Sequence, residues 1–505
     1  MKNLRKTLAG ILAVAAVISM TSCNGGGNTR ASTTAAPNPE ASPTEAGTEA
    51  AVTTAAQTAV SSETNDTDVT VQEIVSNIEV DTELKPEKKI QWLSWWDIDE
   101  TSAEVELFKA NYGIPEQGSK AYGDDFADRV FVYTTVSYQD RYDKLGQMVS
   151  SGNSPDMFEF EIGYYPLSAY KGMFQSIDGI IDTNSDEWSG TRAAMDKFMW
   201  GGKNYTPIIH EGVAALWYYR RSVVEEAGLP DPYELYKNGE WDWNAMLDMA
   251  DKFQQTGENK YLCDGWYVQK QIVLTTGVPV VGLEDGKLIN NMNNSNIERA
   301  MDVVSKLCAE GYGYPKVENG WQLNEKLWTA GNILFFVDGK WWYQGNGHKY
   351  VEKLGWDTDD LFFVPAPRDP LADNYYIEKK VDPFMLVSGS DNLDGYKAWI
   401  KCNLIVSKDE EVQAAAREKI KNDEKWTDDQ LDFIKELEDG DAVVGIYDFK
   451  NGISTACANS DGSSPTEKII NEPYNSVDNT YTGLRAENEG EIKAAIDELN
   501  ASIGA

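Results

Sequence analysis

Hydrophobic residues fall along this chain in three textures. The first is continuous: Leu8 to Ile18 is an apolar run preceded by Lys2, Arg5 and Lys6. A basic start followed by such a run reads as a secretory signal over residues 1–22, too short for the roughly 20 residues of a spanning helix. The second texture is sparse. Residues 23–87 are rich in Thr, Ala, Ser, Pro and Glu, and no aromatic residue precedes Trp92. Such a stretch buries too little apolar surface to offset its ordering entropy and is expected to be a disordered linker. A coil of about 65 residues spans roughly 45 Å on average. Within it, "VTVQEIVSNIEV" (69–80) suits a short helix or strand.

The third texture, from residue 88 onward, is periodic. "KKIQWLSWW" (88–96) predicts a buried strand, and "DETSAEVELFKANYG" (99–113) a helix with Val105 and Phe108 on one face. "RVFVYTTVSY" (129–138) predicts a second strand, and "DRYDKLGQMVSSG" (140–152) a helix with Tyr142, Leu145, Met148 and Val149 at helical spacing. "PDMFEFE" (155–161) predicts a third strand. Alternating strands and helices define an α/β sheet with crossovers, in which ligands sit beyond the carboxyl ends of the strands. Further on, Trp217 lies inside an apolar strand and reads as core, and Asp242 is placed to cap a helix. Ile333 to Val337 predict a strand, Asp338-Gly339 a turn, and Trp341 the first turn of a helix.

Composition narrows the chemistry. All 16 Trp, 25 Tyr and 15 Phe lie from Trp92 onward, a density that leaves rings for clefts as well as cores. The net charge of −37 argues against nucleic acid or an anionic membrane surface as partner. The only histidines are His210 and His348, so no multi-histidine metal site exists, and no nucleophile elbow or phosphate loop is present. No cofactor is expected. Beyond Cys23, the cysteines Cys263, Cys308, Cys402 and Cys457 are widely spaced; one or two disulfides and separate buried thiols are both open.

Met20, Thr21 and Ser22 before Cys23 resemble the bacterial lipobox, with Met20 standing where Leu is usual. The resemblance implies a lipidated Cys23 that anchors the chain to the outer face of the cell membrane. The segments "SGNSPDMFEFEIGYYPLSAYKGMFQSID" (151–178), "GGKNYTPIIHEGVAALWYYRRSVVEEAGLPDPYELYKNGEWDWNAMLDMADKF" (201–253), "LWTAGNILFFVDGKWW" (327–342) and "FFVPAPRDP" (362–370) resemble, in order and spacing, bacterial extracellular solute-binding proteins of the maltose-binding-like carbohydrate type. Tyr219-Arg220-Arg221 departs from the family's Tyr-Asn-Lys, and "YELYKNGEWDW" is longer than the usual linker. That resemblance implies a periplasmic-binding-protein-like α/β fold of two lobes, each a mixed sheet flanked by helices, joined by hinge strands. Lobe 1 would be about 88–208 and 368–405, and lobe 2 about 214–362 and 406–505. The hinge would cross near Pro207 to Val213 and Val364 to Pro370, with the ligand trapped between the lobes. It further implies a monomer that hands its ligand to the membrane subunits of an ABC importer.

A sugar presents C–H faces that stack on aromatic rings and a rim of hydroxyls that planar polar groups bond in pairs. At the predicted cleft edges stand Trp95, Trp96 and Asp97; Phe160, Glu161 (or Glu159) and Tyr164; Glu211 beside the hinge; Trp266 and Tyr267, with Asp264 and Gln269; and Asp338, Trp341 and Trp342. Trp341 matches the family's ligand-facing tryptophan, while Trp342 diverges from it by about 100° on a helix and suits packing behind it. Two other readings use the same residues. One is this fold binding a non-sugar solute or serving a signalling receptor; the other, less favoured, is a secreted glycoside hydrolase, which needs two carboxylates about 5–10 Å apart.

Overall fold

The computed structural model describes residues 71–503, apart from 81–82, 117–125, 318–319, 321, 344–347 and 459–463. The signal segment, Cys23 and the linker up to residue 70 lie outside the described residues. In chain order the strands are β1 (Ile90–Ser94), β2 (Phe131–Thr135), β3 (Met157–Glu159), β4 (Glu211–Val213), β5 (Ala215–Arg220), β6 (Tyr261–Gly265), β7 (Val281–Glu284), β8 (Lys287–Asn290), β9 (Ile333–Gly339), β10 (Leu361–Val364), β11 (Tyr375–Val381), β12 (Phe384–Leu386) and β13 (Val443–Ile446). The helices that position the site are α1 (Val71–Val75), α2 (Ala103–Tyr112), α3 (Arg141–Ser150), α4 (Trp243–Gln254), α5 (Lys340–Trp342), α6 (Leu393–Val406), α7 (Glu410–Glu424) and α8 (Asp428–Asp439).

The sheet of lobe 1 has the order β12-β3-β1-β2, with β1 parallel to both β2 and β3 and β12 antiparallel to β3. The parallel pairs follow from the crossovers through α2 and α3 that the alternating pattern predicts. Its core is aromatic: Trp399 on α6 meets Phe131 and Phe384 edge to face, at 4.8 and 5.5 Å. The sheet of lobe 2 has the order β10-β5-β9-β6. Trp217 is fully buried there against Phe335, as its apolar strand predicts. Asp242 caps α4, accepting from the amides of Asn244 and Ala245.

A third, small sheet of order β13-β11-β4 joins the lobes. Glu211, Gly212 and Val213 pair antiparallel with Val381, Lys380 and Lys379. The first crossing falls within the stretch expected for it. The second runs through β11, downstream of Val364 to Pro370. That proline-rich stretch reads as a connector, but Trp241 Nε1 donates to Pro365 O at 2.8 Å and Trp243 N to Arg368 O at 3.0 Å, which fixes it to lobe 2.

Two further departures concern the linker and the C-terminal half. The folded body already includes α1, whose Val75 is buried. Its continuation is tied to α2, where Val80 N donates to Asn111 Oδ1 and Asn111 Nδ2 to Ile78 O. Ile74, Ile78 and Val80 supply enough apolar surface for a short segment to dock on an existing core although it could not fold alone. Helices α7 and α8 do not both join lobe 2. α7 packs on α1, whereas Phe433 of α8 stacks on Phe362 and Phe363 of lobe 2. The four described cysteines are all free thiols, three of them buried, so burial rather than cross-linking accounts for them.

Trp342 also belongs to the core. It is 1% exposed and packs on Tyr218, Trp328 and Phe336 at 4.9–5.2 Å, because the turn of α5 swings it inward against β5 and β9. Replacing it with Ala is expected to cost about 3–5 kcal/mol of stability, measured by urea denaturation.

Candidate functional site

Beyond the carboxyl ends of β1 and β3, the predicted residues gather around a cation that the sequence reading passed over. Arg141, the first residue of α3, is 1% exposed. Its Nε stands 2.7 Å from Glu159 Oε1, and its Nη2 stands 3.3 Å from Glu161 Oε2. Strand alternation puts both carboxylates on one side of the chain, and one guanidinium serves both. The guanidinium also lies 3.6 Å from the centroid of the Tyr138 ring, and Tyr164 stacks on Tyr142 at 3.8 Å. Burial pushes Glu159 up, with Arg141 and the Trp96 indole N–H pulling it back. Trp96 is spent on this task, since its Nε1 donates to Glu159 Oε2 at 2.9 Å. Trp95 remains half-buried with its ring against the edge of Tyr138. Asp97 pairs with Arg129 at 2.6 Å, and Phe160 is buried against Tyr165 and Phe198. Trp96 and Phe160 are thus structural neighbours of the cluster and not exposed cleft walls. The signal for Arg141 was the "DRYD" start of its helix, where periodicity alone drew attention to the apolar positions.

The second group lies on lobe 2. Asp338 is not in a turn: β9 runs through Gly339, and the carboxyl is 1% exposed with Oδ1 accepting from Gly339 N. Burial raises it to about 8, offset by the Gly339 amide and Lys316 and reinforced by Glu325 and Asp264. Lys316 is buried in turn, 3.7 Å from Asp264 and 5.3 Å from the ring of Trp266. Trp266 and Tyr267 are half-buried. Trp341 folds back over Gly339 so closely that a Cβ there would lie 2.1 Å from its Nε1, which reserves the position for glycine.

The third group is the hinge itself. Tyr447 donates its hydroxyl to Glu211, which occupies that carboxylate. His210 and Lys340 approach Glu438 at 3.7 and 2.7 Å; burial pushes that carboxyl up, but these neighbours, Lys340 foremost, outweigh it and hold it below the usual range. Lys380 pairs with Asp382 at 3.3 Å.

A cavity of about 700 Å³ runs beside this hinge, within the roughly 300–1,000 Å³ span of small-molecule sites. Its walls are His210 and Gly212 to Ala214, Lys380 and Asp382, Lys340 and Trp341, and the facing sides of α6, α7 and α8. Of the residues singled out in the sequence, Trp341 is the one that lines it. Its far side adjoins the Arg141 group, since Glu161 is near enough to Asp382 to help burial raise that carboxyl. Lys340, Lys380, Asp382 and Glu438 carried no motif, and only the meeting of three distant segments at the hinge makes them a site. Among the described residues no group of His, Cys, Asp and Glu is arranged to hold a metal ion, and no helix is long and apolar enough to cross a membrane.

The cavity thus lies where the two α/β lobes and the small joining sheet meet. Residues 119–355 match the family model of the bacterial extracellular solute-binding proteins. Among curated proteins, none matches the sequence. Solved structures share the fold at low identity. A sugar transporter from Rhizobium etli in an open conformation is 16% identical, with 80% of this chain and 99% of that one covered at a TM-score of 0.57. The cyclic α-maltosyl-1,6-maltose binding protein of Arthrobacter globiformis is 14% identical over 82% and 98%, at 0.54. An ABC substrate-binding protein of Listeria monocytogenes in complex with cycloalternan is 15% identical over 83% and 99%, at 0.52.

The raised Asp338 carboxyl sets a pH dependence. A carboxyl lifted from the ordinary range to about 8 favours the folded state while protonated, and that contribution is lost as pH rises from about 4 through 8. Asp338→Asn is therefore expected to gain on the parent as pH rises from about 4, by an amount on the order of 5 kcal/mol at pH 8, in urea denaturation across a pH series.

Proposed function

We propose that this protein captures a carbohydrate between its lobes, without chemistry, and delivers it to an ABC importer while tethered through a lipidated Cys23. The observation that carries the reading is the half-buried indole of Trp341 on the wall of a cavity that both lobes and the hinge build. An indole at that place supplies the stacking surface a pyranose needs, and the flanking His210, Lys340, Lys380, Asp382 and Glu438 supply paired donors and acceptors for hydroxyls. The family match over residues 119–355 and the sugar-binding proteins that share the fold support the same class of ligand. Three carboxylates of the region are committed to cations: Glu159 and Glu161 to Arg141, Glu438 to Lys340.

Because a ligand that binds only the folded state raises the melting temperature, a thermal-shift panel of mono- and oligosaccharides tests the reading directly. A shift with one sugar class and no release of smaller sugars is expected. No shift with any carbohydrate would overturn the ligand class, and liberated sugar would overturn the absence of catalysis. Trp341→Ala is expected to weaken binding by about tenfold or more while the unliganded protein stays folded. Unchanged affinity would remove Trp341 from the site.

A further inference from the structure

One end of the hinge cavity is unexplained by stacking on Trp341. On lobe 1 its floor consists of Phe384, of Asn403 and Val406 on α6, and of Glu104 in the first turn of α2. A glutamate in a helix's first turn ordinarily faces water, where the helix dipole favours its charge. Glu104 is instead 4% exposed, and its Oε2 has no hydrogen-bond partner among the described residues. The other shielded carboxylates on the wall each have a cation, Lys380 for Asp382 and Lys340 for Glu438. Around Glu104 stand its own amide and the Ser102 hydroxyl, the repelling Asp99, and the buried thiol of Cys402 on α6. The basic residues of the two helices are engaged elsewhere: Lys109 with Glu100 and Glu106, Lys397 with Asp394, and Lys401 with Glu187. Burial accordingly pushes this carboxyl up to about 7, only partly offset by its amide and Ser102.

We infer that this end of the cavity takes the protonated amine of an amino sugar, whose ammonium pairs with the Glu104 carboxylate once that side chain turns toward the cavity, while the sugar body lies along Phe384 and Val406 toward Trp341. The inference rests on the carbohydrate reading above and narrows it. A hydroxyl can pair with the neutral carboxyl but gives it no reason to ionise; an ammonium supplies the donor and the opposite charge together.

Isothermal titration of the whole chain at pH 6 separates the possibilities, with a fully deacetylated glucosamine oligomer and a cello-oligosaccharide of equal length as probes. The glucosamine oligomer is expected to bind about tenfold tighter. It is also expected to release close to one proton per ligand, because Glu104 is mostly protonated at pH 6 and ionises opposite the ammonium. The release is read from the dependence of the heat on the buffer's ionisation enthalpy, and needs no variant. Glu104→Gln is expected to abolish both the release and the preference, with the melting temperature of the unliganded protein retained. Equal or tighter binding of the cello-oligosaccharide, or binding of the amine without proton release, would overturn the amine assignment and leave the carbohydrate reading standing. Binding of neither probe, with no shift across the wider sugar panel, would overturn both.

Discussion

The pairing of β4 with β11 is the constraint on which the rest of the molecule depends. Three residue pairs, Glu211 with Val381, Gly212 with Lys380 and Val213 with Lys379, hold together two segments that are far apart in the chain. Each of these strands leads directly into a lobe sheet. β4 is followed by β5 in lobe 2, and β11 is followed by β12 in lobe 1. The register of a strand pair cannot slip without turning every side chain to the opposite face. The pairing therefore fixes His210, Lys380 and Asp382 relative to Trp341 and α8, and so creates the cavity. Backbone hydrogen bonds of this kind resist sliding but permit bending at the strand ends, which is what a closing hinge requires.

Around that hinge, charge is used in a consistent way. Shielded charges are held in pairs or triads: Arg141 between two glutamates, Glu438 by Lys340, Lys316 beside Asp264. Such pairs add little stability over apolar packing, but they leave no freedom in where each group points. Under the proposed function, a fixed arrangement of donors and acceptors benefits from that rigidity more than from the energy. Asp338 departs from the pattern toward neutrality, because burial outweighs the help of Lys316 and the Gly339 amide.

The sheet framework was legible in the sequence because period-two and helical patterns are local. β1, β2, β3, α2 and α3 all fall within the stretches where alternation and helical spacing place them, shortened at their ends by turns. The site was legible only in part. Trp341 could be found because a strand end, a glycine and an aromatic residue sit within a few positions of each other. Arg141, Lys340, Lys380 and Glu438 could not, since each is one charged residue at an element boundary, and what makes it functional is a partner far away in the chain. The linker was misjudged at its end for a related reason. A segment such as 71–80 has too few apolar residues to fold by itself, and the surface of α2 that receives it is invisible to any local window.

The adjacent tryptophans show how far local reasoning reaches and where packing takes over. Spacing alone dictates that Trp341 and Trp342 diverge on a helical turn, but it is symmetric between them. The asymmetry comes from β5 and β9, whose Tyr218 and Phe336 offer Trp342 an aromatic pocket. It comes equally from Gly339, whose missing side chain lets Trp341 lie flat across the strand end instead of being forced into solvent. One indole then carries the weight of the core so that the other is free of it. A buried tryptophan behind a half-buried one also stiffens the turn that presents it, which lowers the ordering cost that a ligand would otherwise meet on binding.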